Sequence, residues 1–309
     1  MRDVFGKVLA DAVRTDDRLF VLDGDCALST RTSLAQRQRP DRFANVGIAE
    51  QNLVGVAAGL ATVGLRPVVN SFAAMLVHRA HEQLMQSVGL PGLDVLVVGH
   101  YAGLSAAAEG APHHAIADLA LVRAVPGLAV WTPLDDDDAA ETARLLLAPG
   151  STGPRYLRLG RNSVAALPDP TWRGPTCRVW GPPTRVALVA HGGVVGECLA
   201  AQRALAGGTC PVRVVGTSRL VPFDEDGAVR AALEDAKVVL TVEEHLRSGG
   251  LGSVVLESGV APGARVVRCG IGGFTQSGSH ADLLRAEGID AEGIARQVQA
   301  VALTGATRG

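Results

Sequence analysis

The chain has 309 residues, with 29 Lys and Arg against 31 Asp and Glu, for a formal net charge of -2. That balance lacks the basic surplus of a nucleic-acid binder, and no apolar run reaches the ~20 residues that span a bilayer. Acids scattered through "MRDVFGKVLADAVRTDDRLFVLDGD" leave no signal-peptide core, and five widely spaced cysteines form no CxxC pair, so a cytoplasmic chain is expected.

Val- and Leu-rich runs of buried-strand length alternate with helical patterns. "RLFVLDGD" (18–25) reads as a strand, a helix follows at 49–64, and "RPVVNSF" (66–72) is the next strand. Helix 72–88, strand "LDVLVVGH", helix 114–124, strand "LAVWTP" and helix 135–148 complete a first series. Five prolines in 163–185 then mark a linker. A second series begins at "RVALVAHGG" and continues through "CPVRVVGTS", "AKVVLTVEEH" and "ARVVRCG", with helices at about 195–207, 225–235, 249–259 and 279–302. Apolar strands separated by helices predict an α/β chain of two domains, each a mainly parallel sheet flanked by helices. The boundaries are drawn at 1–165, a linker at 166–182, and 183–309.

Glu50 is the most informative residue of the first series. In "NVGIAEQNLVGVAAGLATVG" it shares a helical face with Leu53, Val54, Ala57, Leu60 and Ala61, so it heads a face expected to be buried. Gly55 and Gly59, four apart, permit another backbone to approach. A first-turn Glu that only complements the helix dipole is the plain alternative. A desolvated carboxylate can instead hydrogen-bond a heterocyclic nitrogen, and the apolar face would then pack on another subunit.

Further along, His78 and His81 stand three apart without a third metal ligand in evidence. His100 ends a strand, where open α/β sheets bind ligands. "EGAPHH" offers Glu109, His113 and His114 on a Gly/Pro loop suited to proton transfer and hydroxyl binding. Asp135–Asp138 directly precede a helix and read as capping rather than metal binding. Glu243, Glu244 and His245 read as structural, with His245 a candidate for a subunit interface. No metal site is expected within the chain.

Four segments, "GIAEQN", "EGAPHHAIADLALVRAVPGLAVWTPLDDDDA", "RYLRLGRN" and "VEEHLRSGGLGSVVLE", resemble in order and spacing the pyrimidine-binding and C-terminal domains of the transketolase family. The resemblance covers essentially the whole chain. It implies that Glu50 hydrogen-bonds N1′ of the aminopyrimidine of thiamine diphosphate and so activates C2 of its thiazolium. It places Phe72, Met75 and His78 against the aminopyrimidine, and His100 and His113 in catalysis. Ser29, Glu109, His113 and Arg161 fall where the family binds substrate. The chain departs from the family's pattern with Glu109 for Asp, with "GAPH" for "GPTH", and with Met75 and His78 in place of aromatics.

The family also needs a diphosphate- and metal-binding domain marked by GDG and a later Asn. Gly24-Asp25-Cys26 with Asn52 only imitates it, because Cys26 stands where close backbone approach needs Gly. The resemblance therefore implies one half of a split transketolase. A separate GDG…N subunit would hold the diphosphate and Mg2+ or another divalent metal, in an α2β2 heterotetramer. The expected reaction moves a two-carbon ketol unit from a ketose to an aldehyde, on a sugar or keto substrate. Two rivals are the β subunit of a 2-oxoacid dehydrogenase first component and a non-catalytic scaffold subunit.

Overall fold

The computed structural model describes residues 1–208 and 210–306, with side chains described to residue 302. Residues 307–309 of the predicted second domain lie outside the described residues. The first sheet contains β1 (Leu19–Asp23), β2 (Phe43–Asn45), β3 (Arg66–Phe72), β4 (Leu96–His100), β5 (Ala129–Trp131) and β6 (Arg155–Leu159). The second contains β7 (Trp172–Arg173), β8 (Cys177–Trp180), β9 (Val186–Ala190), β10 (Val212–Thr217), β12 (Val238–Leu246) and β13 (Arg265–Ile271). The remaining strand, β11 (Arg219–Val221), follows β10 in sequence but joins the first sheet, antiparallel to β5. The spatial orders are β11-β5-β6-β4-β3-β1-β2 and β13-β12-β9-β10-β8-β7.

Both sheets are mainly parallel, and β4, β6 and β9 are buried along their whole length. That double-sided burial is why these strands read as continuous apolar runs rather than alternating ones. The antiparallel members are β11 and the hairpin-like β7 and β8, which were not predicted as strands. An N-terminal helix, Arg2–Thr15, was also unread; it buries Phe5, Leu9 and Val13 against Val21, Val68 and Leu157.

Two predicted helices are broken. The 72–88 segment divides into Ala73–Arg79, His81–Gln83 and a π-helical turn, Leu84–Gly89. The 279–302 segment divides into His280–Ala286 and Ala291–Ala306, separated at Gly288 with φ +66. That left-handed turn needs a residue without Cβ.

The helix Glu50–Thr62 corrects one expectation. Leu53, Val54, Ala57 and Ala58 are buried in the first domain's own core, with Leu22, Val69, Leu76 and Leu84. The apolar face thus packs on its own sheet, each Leu or Val contributing about 1.5–3 kcal/mol, and not on another subunit. The opposite stripe, Gln51, Asn52, Gly55, Val56 and Gly59, is exposed.

A buried polar network joins the domains. Arg158 donates from Nε to Asp118 Oδ2 at 2.8 Å and from Nη2 to Asp118 Oδ1 at 3.1 Å. The same Nη2 also reaches the carbonyls of Ala115 and Glu244, both at 3.0 Å. Tyr156 adds its hydroxyl to Asp118 at 2.9 Å. Burial alone would raise the Asp118 carboxyl, but the charge and hydrogen bonds of Arg158, then His245 and Tyr156, hold it below the usual range.

Around this network, Glu243 Oε2 and Oε1 accept the amides of Leu251 and Gly252 at the start of helix Leu251–Ser258. Burial pushes its carboxyl up to about 7 against those two hydrogen bonds. His245 is fully buried, its Nε2 accepting the Ala120 amide at 3.3 Å. It faces the first domain, not a subunit interface.

Glu244 Oε2 accepts from the Leu104 amide at 3.0 Å and from His280 Nε2 at 2.9 Å. Burial pulls His280 down, but the hydrogen bond and charge of Glu244 carry it above its ordinary value. A proton held more tightly in the folded chain stabilises it fully below the ordinary histidine value, and that support is lost as pH rises through the raised one. Glu244 is held low despite burial, so its share is lost as pH falls through its own lowered value. The stability deficit of His280→Gln should therefore be largest between about pH 5 and pH 6.5 and shrink at alkaline pH, as thermal melts across pH would show.

Candidate active site

Strand register assembles the site. Phe72, His100 and Leu159 are paired neighbours at the C-terminal ends of β3, β4 and β6, and Asp23 pairs with Asn70 one strand over. Chain that leaves this edge carries Tyr101, the 107–114 loop and Arg161. This is the edge at which parallel α/β sheets place ligands.

Glu50 is set by the turn before it. Asn45 Oδ1 accepts the amides of Asp25 at 3.1 Å and Gly47 at 2.9 Å, and Gly47 takes φ +84. The turn delivers Glu50 as the first helical residue, with a side chain 4% exposed. Both of its oxygens receive Arg79 Nη1, at 3.0 and 2.9 Å. Arg79 itself is half-exposed at 52%, so the group covering the carboxylate is one that can swing away. Sequence reasoning missed Arg79; its signal was a lone cation on the helix after Phe72.

Phe72 is half-buried and meets the Tyr101 ring edge-to-face at 4.7 Å. Met75 is half-buried against Ala73, Ala74, Ala102 and Ala115, whereas His78 points outward and is exposed. Tyr101, also missed, is the hub of this wall. Arg2 donates to its hydroxyl at 2.5 Å, and the Arg161 guanidinium lies over its ring at 5.1 Å. Its φ of +61 is strained for a residue with a side chain, and such strain concentrates at functional sites. It is one of only two tyrosines in the chain, which was its one visible signal.

His100 corrects a second expectation. Its ring is fully buried, edge-on to Phe5 at 5.5 Å, with Nε2 3.2 Å from Asn70 Oδ1. Asn70 Nδ2 donates to the Leu22 and Val68 carbonyls, so Oδ1 accepts and His100 Nε2 carries the proton. Burial, then Arg2 and the N-terminal ammonium, push it down to about 3. It is a neutral ring with no exposed surface to offer a substrate, held between Phe5 and Asn70.

Glu109 is exposed and pairs with Arg161 at 3.1 Å. His113 is half-buried, and Ser29 lends its carbonyl to Arg2 at 2.8 Å. Thus Ser29, Tyr101, Phe72, Arg161 and Glu109 are linked through shared contacts. In the Gly24-Asp25-Cys26 turn Asp25 is exposed and Cys26 is buried, with Asp23 Oδ1 accepting the Cys26 amide at 2.7 Å. Asp135 caps helix Asp136–Leu147 through the Asp138 amide and pairs with Arg178 at 3.0 Å.

The residues present fit the aminopyrimidine end of thiamine diphosphate. Glu50 offers a desolvated carboxylate beside a displaceable cation, and Phe72 offers a flat apolar wall. Among the described residues no group of three or more His, Cys, Asp or Glu side chains could hold a metal ion.

Two family models match the chain: the transketolase pyrimidine binding domain over residues 1–166 and the transketolase C-terminal domain over residues 177–294. A Methanocaldococcus jannaschii chain assigned as a transketolase C-terminal section is 31% identical, over 96% of this chain and 95% of its own length. The 6-deoxy-6-sulfo-D-fructose transketolase subunit SqwH of a Clostridium species is 33% identical, over 83% of this chain and 80% of its own. Among solved structures, a split gene transketolase described as an inactive beta4 tetramer superposes with a TM-score of 0.85 at 34% identity, covering 96% of each chain.

Proposed function

Because the chain belongs to the transketolase family, as its pyrimidine-binding and C-terminal domains, we propose that it is the cofactor-activating subunit of a two-component transketolase that moves a two-carbon ketol unit from a ketose to an aldehyde. A partner carrying GDG…N would hold the diphosphate and Mg2+ or another divalent metal, in an α2β2 assembly in the cytoplasm. Among the described residues no helix is long and apolar enough to cross a membrane.

One observation carries this reading. Glu50 is a desolvated carboxylate whose bonded side-chain partner is a half-exposed arginine, at the head of a helix whose outer stripe is bare. A Cβ added at Gly55 or Gly59 would meet nothing within 4 Å. A pocket half built at an open glycine stripe is what a subunit leaves for its partner. Thiamine diphosphate supplies a nucleophilic carbon when bound. This chain would hold the aminopyrimidine nitrogen on Glu50 once Arg79 has moved, and back the ring with Phe72 and Met75.

Glu109 and His113 would face the sugar hydroxyls. Arg161 would leave Glu109 to take the distal anion of the substrate, phosphate or sulfonate, since a guanidinium fork suits either. The relative acting on a sulfo-sugar makes the sulfonate the more informative probe.

The test is reconstitution with a GDG…N chain and a parallel offer of xylulose 5-phosphate, 6-deoxy-6-sulfofructose, hydroxypyruvate and pyruvate as donors. Ketol transfer from a sugar supports the reading. Turnover of pyruvate alone would move the chain to the 2-oxoacid dehydrogenase type, and no assembly with any such partner would favour a scaffold. Gly55→Leu with Gly59→Leu should leave the lone chain as stable or up to about 1 kcal/mol per site more stable, yet abolish assembly in light scattering. Assembly at wild-type strength would show that this stripe is not the docking face.

A further inference from the structure

We infer that the 272–280 loop of the second domain is a positioning element for the 107–114 loop, acting through the Thr275 hydroxyl on His114. The inference rests on the reading that Glu109 and His113 face substrate.

His114 is 2% exposed, with Nε2 3.1 Å from the Ala107 carbonyl and Nδ1 2.5 Å from Thr275 Oγ1. A carbonyl only accepts, so Nε2 carries the proton. Burial pulls His114 below its ordinary value, which keeps the ring neutral. Nδ1 is then a lone pair, and Thr275 must donate to it. One imidazole thereby ties the residue after His113 to the backbone two residues before Glu109. Thr275 fixes its tautomer and its plane from the other domain.

Two further contacts act on the same segment. Gly110 takes φ +80, and a Cβ there would stand 2.6 Å from Ser277 Oγ, so the second-domain loop lies directly against the turn between Glu109 and His113. At the end of that loop, His280 reaches Glu244, which also accepts the Leu104 amide at the root of the segment. A domain with no residue proposed to touch substrate thus clasps the substrate loop at its start, its middle and its end.

The experiment compares Thr275→Val and Thr275→Ser in the reconstituted complex with nitrogen-15 NMR of the His114 ring in the lone full-length chain. Losing one such hydrogen bond should raise the ketose KM about three- to tenfold with a smaller change in kcat, and serine should restore it. The ring should show a single protonated Nε2 in wild type and the Ser variant, and mixed tautomers in the Val variant. Should Thr275→Val fail to fold, the exposed Ser277→Leu crowds Gly110 without touching His114 and should raise KM with the tautomer intact. An unchanged KM in Thr275→Val, or in Ser277→Leu where it replaces that variant, overturns the inference, as does a protonated Nδ1 in wild type. The underlying reading is tested separately by His113→Ala, which removes a proposed substrate contact and leaves the Thr275–His114 bond in place. It should raise the ketose KM, and an unchanged KM there overturns the substrate role of His113 rather than the clasp.

Discussion

Glu50→Gln in the reconstituted enzyme should lower turnover by about 10²- to 10⁴-fold, the range removed with a positioned proton-transfer group. Glutamine keeps the length and can still sit against a ring nitrogen, but it neither bears the charge nor exchanges the proton. The loss should therefore appear in kcat, with assembly and fold intact, because the glutamate heads a helix that packs through Leu53, Val54 and Ala57 rather than through itself. Arg79 sharpens the expectation. In Glu50→Gln its guanidinium loses a carboxylate held at 2.9 and 3.0 Å, so the variant should if anything be less covered, not blocked. Steady-state kinetics with light scattering as the assembly control decide it. Full activity in an intact complex would end the proposed role.

Arg158→Met should cost the chain about 3–5 kcal/mol, the usual loss when one partner of a buried ion pair is removed. The magnitude follows from what remains. Asp118 is completely buried, and without Arg158 its charge keeps only Tyr156 as a direct hydrogen-bond donor among the contacts described. Two carbonyls, of Ala115 and Glu244, lose a donor as well. Urea denaturation should show the midpoint fall. Adding Asp118→Leu and Tyr156→Phe should recover part of it, since the buried charge is then gone while the Ala115 carbonyl keeps only the Gly103 amide and the Glu244 carbonyl stays without the Arg158 donor. No recovery would mean that the network holds the domains by geometry more than by charge balance.

The two cases differ in how they could be read beforehand. Glu50 stood out because an acid at the head of a small, apolar helical run is locally anomalous. The alternation of strands and helices was legible for the same reason, since burial on both faces of a parallel sheet writes itself into consecutive residues. What was not legible lies in long-range pairing. Arg79 meets Glu50 across 29 positions and Arg158 meets Asp118 across 40. β11 leaves the second domain's sequence to close the first domain's sheet, which no local pattern announces.

His100 and His245 show the limit within single residues. Each was visible as a histidine at a telling place, yet neither neighbourhood was. Phe5, from a helix unread in the sequence, closes over His100, and the Ala120 amide of the other domain takes His245. The sequence by itself determined the α/β class, the two series of elements and the family, and it singled out Glu50 as an acid at the head of a buried face. Only the tertiary structure decided which face of the Glu50 helix is exposed, which histidines are sealed, and that the 272–280 loop of the second domain lies against the 107–114 loop of the first. Periodicity records whether a residue is buried, whereas what buries it comes from elsewhere in the chain, and that partner sets a side chain's chemistry.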